Sequence, residues 1–231
     1  MKESTASVLA LLQLSDSGFP SGAFSHSYGL EQLVREDRVK TPGDVEAFVS
    51  SVLRQCLATS DAPAARTAAR CAAAGDLDGV IAVDRTLYRT KAASELRAAS
   101  VATGRRLAEE VSATVEDVIL GAYVTFLRQD KQLGTHPVAF GVTGNALGVD
   151  AAVAPAAMML AAANAILQAA MRLGLLSHRD VQATLHRLRP QIAAMADVGE
   201  LDELPLLRAF HPLQEIASMR HAFAETRLFA S

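Results

Sequence analysis

The sequence has no tryptophan and only 5% aromatic residues, although 50% of its 231 residues are hydrophobic. The apolar content is therefore mostly Ala, Leu and Val, and Ala and Leu are strong helix formers. Two cysteines, Cys56 and Cys71, are too few for a disulfide framework, and neither lies in a CxxC pair. They read as free thiols packed as small hydrophobes. Charge of either sign is scarce in blocks. A net charge of −3 and a pI near 6.1 leave no basic footprint for nucleic acid.

No Pro/Ser/Gly tract suggests a linker and no solenoid period repeats, so residues 1–231 read as one domain. A basic start and a long apolar core, as in a signal peptide, are missing: Met1-Lys2-Glu3-Ser4 carries an acid, and the apolar run from Val8 to Leu12 is short. A cytoplasmic protein is expected. The segment Ala151–Met171 has no charge and is long enough to span a bilayer. Ala dominates it, however, and Pro155, Asn164 and Gln168 interrupt it, so a helix buried on most faces is expected, with no membrane partner.

Catalytic signatures are also lacking. There is no GxxxxGK[ST] to cradle phosphate. Gly141-Val142-Thr143-Gly144 is too short for a dinucleotide fingerprint. In Gly18-Phe19-Pro20-Ser21-Gly22 the first glycine falls one place too early for a nucleophile elbow. Ser25 and Ser27 flank His26, but neighbours on a helix do not face each other. Histidines 26, 136, 178, 186, 211 and 221 form no i, i+3 or i, i+4 pair with each other or with cysteine, and HExxH is absent. No intrinsic metal or cofactor is expected.

What is present is helical pattern. Helices are expected from Ser4 to Leu14 and from about Ser25 to Asp37. Thr41 caps a third, with Pro42 at its first position and an apolar face running from Val45 to Leu57. Asp61 is expected to cap the next, ending at Gly75. Further helices are expected at Asp78–Thr90, Ser94–Val111 and Thr114–Gln129. Glycines between Leu133 and Gly148 suggest a loop-rich connection holding one short helix. Asp150 should cap the Ala-rich helix to Leu173, Ser177 and Asp180 should box the next to about Ala194, and Asp197–Pro205 reads as a loop. His211-Pro212 should open a last helix to about Glu225. No segment alternates at period two for long. The fold class is all-α, a single-domain bundle of about eight to ten helices.

Two segments are unusual for a plain bundle. Ser15 to Glu31 mixes glycines, hydroxyls and aromatics. It reads either as a well-packed turn between two helices, with Ser21 or Ser25 capping the second, or as a docking loop whose polar groups pair with a partner's backbone. From Pro212 to Ser231, Leu213, Ile216, Met219 and Phe223 make one apolar face beside Arg220, His221 and Arg227. Leu228-Phe229 then sits almost at the chain end, where polar, frayed sequence is usual. Such a tail suits docking, on this domain or on another protein.

Both segments resemble signatures of the UreF family of urease accessory proteins. Asp16, Phe19, Pro20, Ser21, Gly22, Phe24, His26, Ser27, Gly29 and Glu31 follow that family's loop pattern. Arg97, Ser100, Gly104 and Arg105 match a second stretch, and His136, Pro137 and Gly141 match its His-Pro-x-x-Phe-Gly step. Ser218-Met219-Arg220-His221 and Arg227-Leu228-Phe229 match its ending. Departures are Gly174-Leu175 in place of Pro-Leu-Gly-Gln after Arg172-Leu173, Ala222 where an acid is usual, and Glu215 where Asp is usual.

The resemblance implies an all-α homodimer without catalytic activity, a chaperone of metallocentre assembly. It implies bridging between the scaffold accessory protein (UreD, also called UreH) and the nickel-carrying GTPase (UreG), modulation of that GTPase, and action on apo-urease. Nickel would be handled by the complex. The scaffold would dock on Arg220, His221, Arg227, Leu228 and Phe229, and the Asp16–Glu31 loop would lie near the GTPase or the metal path. The residues read directly leave a second possibility, a helical enzyme with an unrecognised active site.

Overall fold

The computed structural model describes residues 4–23, 26–196 and 207–229. Among them are eleven α-helices and no strand. They are α1 (Thr5–Ser15), α2 (Leu30–Arg35), α3 (Pro42–Val52), α4 (Ala62–Ala73), α5 (Leu77–Thr90), α6 (Ser94–Ser112), α7 (Val118–Gln129), α8 (His136–Ala146), α9 (Ala154–Arg172), α10 (His178–Ala196) and α11 (Pro212–His221). A π-helical segment, Leu53–Asp61, joins α3 to α4 without a break.

Local chemistry sets most of the ends. Ser4 caps α1 by accepting from the Ser7 amide. Thr41 and Asp44 form a complete capping box at α3, and Ser177 and Asp180 form another at α10. Gly75 and Gly174 follow α4 and α9 with φ of +73° and +81°, the left-handed conformation that closes a helix.

Six expectations change. Asp150 lies three residues before Val153, the N-cap of α9, and accepts from the Ala152 amide instead of capping that helix. The helix expected from Thr114 starts at Val118, where Asp117 caps it by accepting from the Leu120 amide. Asp61 does not cap a new helix. The chain passes from α3 to α4 through a widened turn, because Pro63 cannot give an N–H to the Thr59 carbonyl four residues earlier. That carbonyl accepts from the Arg208 amide at 3.0 Å instead, and the Gln55 carbonyl accepts from Phe210 at 3.3 Å. The second helix begins at Leu30, because Tyr28 and Gly29 take φ of 56° and 86° just before it. The last helix ends at His221. The glycine-rich stretch from Leu133 to Gly148 is mostly the central helix α8, buried from Pro137 through Gly144. Its glycines mark close packing, as shown below. The expected loop at Asp197–Pro205 lies outside the described residues.

α8 is wrapped mainly by α4 and α6, and α9 packs between α10 and α4. α9 is long and apolar enough to cross a membrane, with mean hydropathy 1.4, and 56% of that apolar window is buried inside the domain. Its Met158, Met159, Ile166 and Leu167 enter the common core with Phe48, Leu87, Tyr123 and Phe140.

Among the described residues, the most buried carboxylate lies in that core. Asp84 is fully buried on α5. It accepts from the Tyr123 hydroxyl and the Gly134 amide, both at 2.7 Å, and from the Thr135 hydroxyl and amide at 2.5 and 3.0 Å. Burial pushes its carboxyl up against these four donors. The site ties α5 to α7 and to the turn that starts α8. Asp84→Ala leaves all four donors unpaired and should cost roughly 3–5 kcal/mol. Tyr123→Phe removes one donor and should cost about 1 kcal/mol. Urea denaturation of both variants checks the ranking; equal losses would count against the four-donor account.

Candidate functional site: a latched tail and an exposed apolar face

The loop and the tail meet in the folded protein. α11 ends in His221, which is fully buried. Its Nε2 lies 2.9 Å from Glu31 at the start of α2, and its Nδ1 lies 3.0 Å from Glu95 in the first turn of α6. An ionised carboxylate only accepts, so holding both bonds requires hydrogen on both ring nitrogens. Glu31 is 1% exposed. It also accepts from Arg35 at 2.7 Å and from the amides of Leu228 and Phe229 at 3.0 and 3.2 Å. Burial pushes the Glu31 carboxyl up, but the Leu228 amide, the His221 ring and Arg35 outweigh it and hold the carboxyl below its ordinary value.

Around this centre, Arg35 also donates to the Thr226 carbonyl, Arg227 reaches Glu95 at 3.4 Å, and Arg220 pairs with Glu36 at 3.1 Å. The Phe229 ring is buried, with the Arg172 guanidinium 4.4 Å from its centroid. Gly29 makes the close approach possible. A Cβ there would stand 3.0 Å from the Ser218 hydroxyl and 3.1 Å from the Gln214 carbonyl of α11.

The other side of α11 faces solvent. Gln214, Ala217, Ser218 and His221 are buried, whereas Leu213, Ile216 and Met219 recur every third residue on the outer face. Phe223 is 90% exposed and Leu228 72%, and Phe210 is exposed just before the helix. Apolar side chains scattered singly on a surface are ordinary; a clustered set marks an interaction face. Arg220 and Arg227 give this face a basic rim.

The sequence-defined residues therefore divide. Arg220, Arg227 and Leu228 are exposed, while His221 and Phe229 are buried within the chain's own domain and hold the tail. In the loop, Asp16 accepts from the Gly18 amide at 2.6 Å, Pro20 is exposed, Phe19 is half-buried and Ser21 is buried. Gly22 takes a φ of +83°. Ser27 is fully buried, and Phe24 lies outside the described residues.

His26 bonds through Nε2 with the Thr103 hydroxyl at 3.0 Å and lines a cavity of about 70 Å³. Tyr28, Cys56, His136 and the Asp61–Lys91 ion pair, at 2.7 Å, share its walls. Burial lowers His26, drives His136 down to about 4 and pushes the Cys56 thiol up to about 12. At neutral pH both rings are neutral and the thiol is protonated, which makes it a poor nucleophile. Among the described residues, no three His, Cys, Asp or Glu side chains cluster to hold a metal.

The remaining motif residues build the packing beneath this site. A Cβ on Gly104 would lie 2.2 Å from the Gly134 carbonyl, and one on Gly141 would lie 2.2 Å from the Ala65 carbonyl. Ser100 accepts from the His136 amide at 3.1 Å, and Pro137 occupies the first turn of α8. Arg105 donates to the carbonyls of Asp130 and Leu133 at 3.2 and 3.3 Å, and Arg97 donates to that of Lys91 at 2.7 Å.

Sequence reasoning missed Asp84 and Glu95. Asp84 had a signal, a lone acid on the apolar face made by Val80, Val83 and Leu87. Glu95 had none, since its partners lie more than a hundred residues away.

The chain matches the UreF family over residues 39–189. It is 34% identical over 227 residues to the urease accessory protein UreF of Trichodesmium erythraeum, covering 96% of both chains. It is 32% identical over 226 residues to urease accessory protein UreF 2 of Brucella canis, covering 96% of this chain and 91% of the relative. Against the urease accessory protein UreF of Yersinia enterocolitica it is 28% identical over 224 residues, covering 97% of this chain and 98% of the relative. With its motifs, its helical fold and these full-length similarities in agreement, the chain belongs to the UreF family of urease accessory proteins.

Proposed function

We propose that the protein is a non-catalytic assembly factor that bridges the urease scaffold protein UreD/UreH and the nickel-carrying GTPase UreG, assists nickel insertion into apo-urease and modulates the GTPase. One observation supports this reading above the others. Six large apolar side chains between Phe210 and Leu228 stand in solvent on a segment whose inner side is locked by buried ion pairs. Ordering a tail in advance lowers the entropy lost when a partner binds. The scaffold protein docks on this outer face, with Arg220, Arg227 and Leu228 in contact and His221 and Phe229 keeping the tail in place. The exposed part of the Asp16–Glu31 loop faces the GTPase or the metal path. Nickel passes through the complex without an intrinsic site in this chain, which works as a homodimer.

Replacing Ile216 and Phe223 together by Asp tests the docking face. Both side chains are exposed, so the helical signal and melting temperature should stay close to those of the parent. Co-purification with the scaffold protein should fall at least about tenfold, and urease activation with it. A variant that still captures the scaffold and still activates urease would remove this face from the reading.

A further inference from the structure

We propose that the groove between α5, α6 and the turn after α7 is a docking surface for an acidic segment of a partner protein. It adjoins the latch on α6, where Glu95 sits between the groove residues Ser94 and Arg97, and its case does not depend on the bridging role. The groove is open, about 770 Å³, and four cations line it: Arg97, Arg105, Arg106 and Lys131. Among the described residues, the one carboxylate on its walls is Glu109. In a chain of net charge −3, this is a local reversal of sign.

Among the described residues, none of the four cations forms an ion pair. Two of them are nevertheless fixed. The Arg97 guanidinium lies 5.1 Å from the centroid of the Tyr88 ring and donates through Nη1 to the Lys91 carbonyl. Arg105 is anchored through Nη1 to the carbonyls of Asp130 and Leu133. A guanidinium carries five N–H donors, so both retain donors for a carboxylate and lose little freedom on binding one. Exposed Arg106 and Lys131 add charge at the rim.

The length of the groove favours a peptide. From Arg97 to Arg106 the helix rises roughly 14 Å, which matches about four residues of extended chain. Glu109 closes this end of the groove, and Glu110 is exposed next to it on the same helix. A nucleic acid strand, with its regular phosphates, would run onto these carboxylates. A short run of Asp or Glu ends where the cations end.

Fluorescence anisotropy of a labelled hexaglutamate peptide, titrated with the full chain at low ionic strength, tests this. The parent should bind, and binding should weaken as salt is raised. Arg106→Glu with Lys131→Glu should weaken it at least about tenfold. Arg54→Glu with Arg179→Glu makes the same change in net charge at exposed positions elsewhere and should leave it nearly unchanged. If the first pair disturbs the helical signal, Lys131→Glu alone, on a turn, should still weaken binding severalfold. Equal binding by both double variants would overturn the proposal. So would tighter binding of an oligothymidylate of equal charge that the same groove variant abolishes, which would assign the groove to nucleic acid.

Discussion

Adding a single methyl group at Gly104 or at Gly141 should destabilise the protein by about 3 kcal/mol, more than most surface substitutions by far. At Gly104 the new Cβ would lie 2.2 Å from the Gly134 carbonyl oxygen and 2.7 Å from the Cα and N of His136. At Gly141 it would lie 2.2 Å from the Ala65 carbonyl oxygen and 3.1 Å from the Ala69 nitrogen. Every one of these atoms is backbone, so no side chain can rotate away. α6 and α4 would each have to withdraw from α8, opening gaps in a core that tolerates few. The intrinsic preference of helices for Ala over Gly returns only about 1 kcal/mol.

Gly121 is the control, because a Cβ there meets nothing within 4 Å and the residue lies inside α7. Gly121→Ala should therefore be neutral or stabilising, by up to about 1 kcal/mol. Melting temperatures of the three variants decide the matter. Losses of roughly 6–12 °C are expected at positions 104 and 141, with none at 121. Equal behaviour at all three would mean that α8 is not held by backbone contact.

Glu31→Gln should release the C-terminal tail. The side chain keeps its shape but loses its charge, leaving the His221 ring and Arg35 with a neutral partner in a buried site. Breaking a buried pair on one side costs roughly 3–5 kcal/mol. The effect should concentrate on residues 222–229, whose amides at Leu228 and Phe229 bond to that carboxylate. Hydrogen exchange of the C-terminal peptide should quicken by two orders of magnitude or more, with α8 unchanged.

The pH dependence has a definite sign. Glu31 is held below its ordinary value in the fold. Its contribution is therefore complete above the ordinary carboxylate range and disappears as pH falls through the lowered, folded value. Acid should unlatch the tail of the parent, and Glu31→Gln should be open throughout. A tail that loosens in acid to the same degree in both proteins would place the titrating group elsewhere. A tail that remains protected in Glu31→Gln would show that Phe229 and Arg220 suffice to hold it.

These outcomes separate two kinds of contribution to docking. The Ile216 and Phe223 substitutions remove the contact face but leave the latch closed. Glu31→Gln leaves the face chemically intact but loosens its support. If docking needs the tail ordered beforehand, both should weaken capture of the scaffold protein, the second through the entropy of re-ordering.

The amino-acid sequence by itself determined the helical class, the caps at Thr41 and Ser177, the stops at Gly75 and Gly174, and the apolar stripe from Leu213 to Phe223. Each depends on residues within a few positions of one another, and the 3.6-residue period exposes such neighbours directly. It also marked Gly104 and Gly141 as motif residues without saying why. Only the tertiary structure decided that they are crossing points, because a glycine needed for close approach looks in sequence like one needed for a turn. The same limit made α8 look like a loop.

Pairing across distance was decided there too. Glu31, Glu95 and His221 are drawn together by the packing of α2, α6 and α11, and no local pattern records which acid meets which histidine. The π-helical turn arose the same way: Pro63 withheld an N–H, as its position in the sequence requires, but only the fold brought Arg208 to the carbonyl left behind. Local stereochemistry is written along the chain. The identity of a buried charge's partner is a property of the folded core, where desolvation makes that partner obligatory.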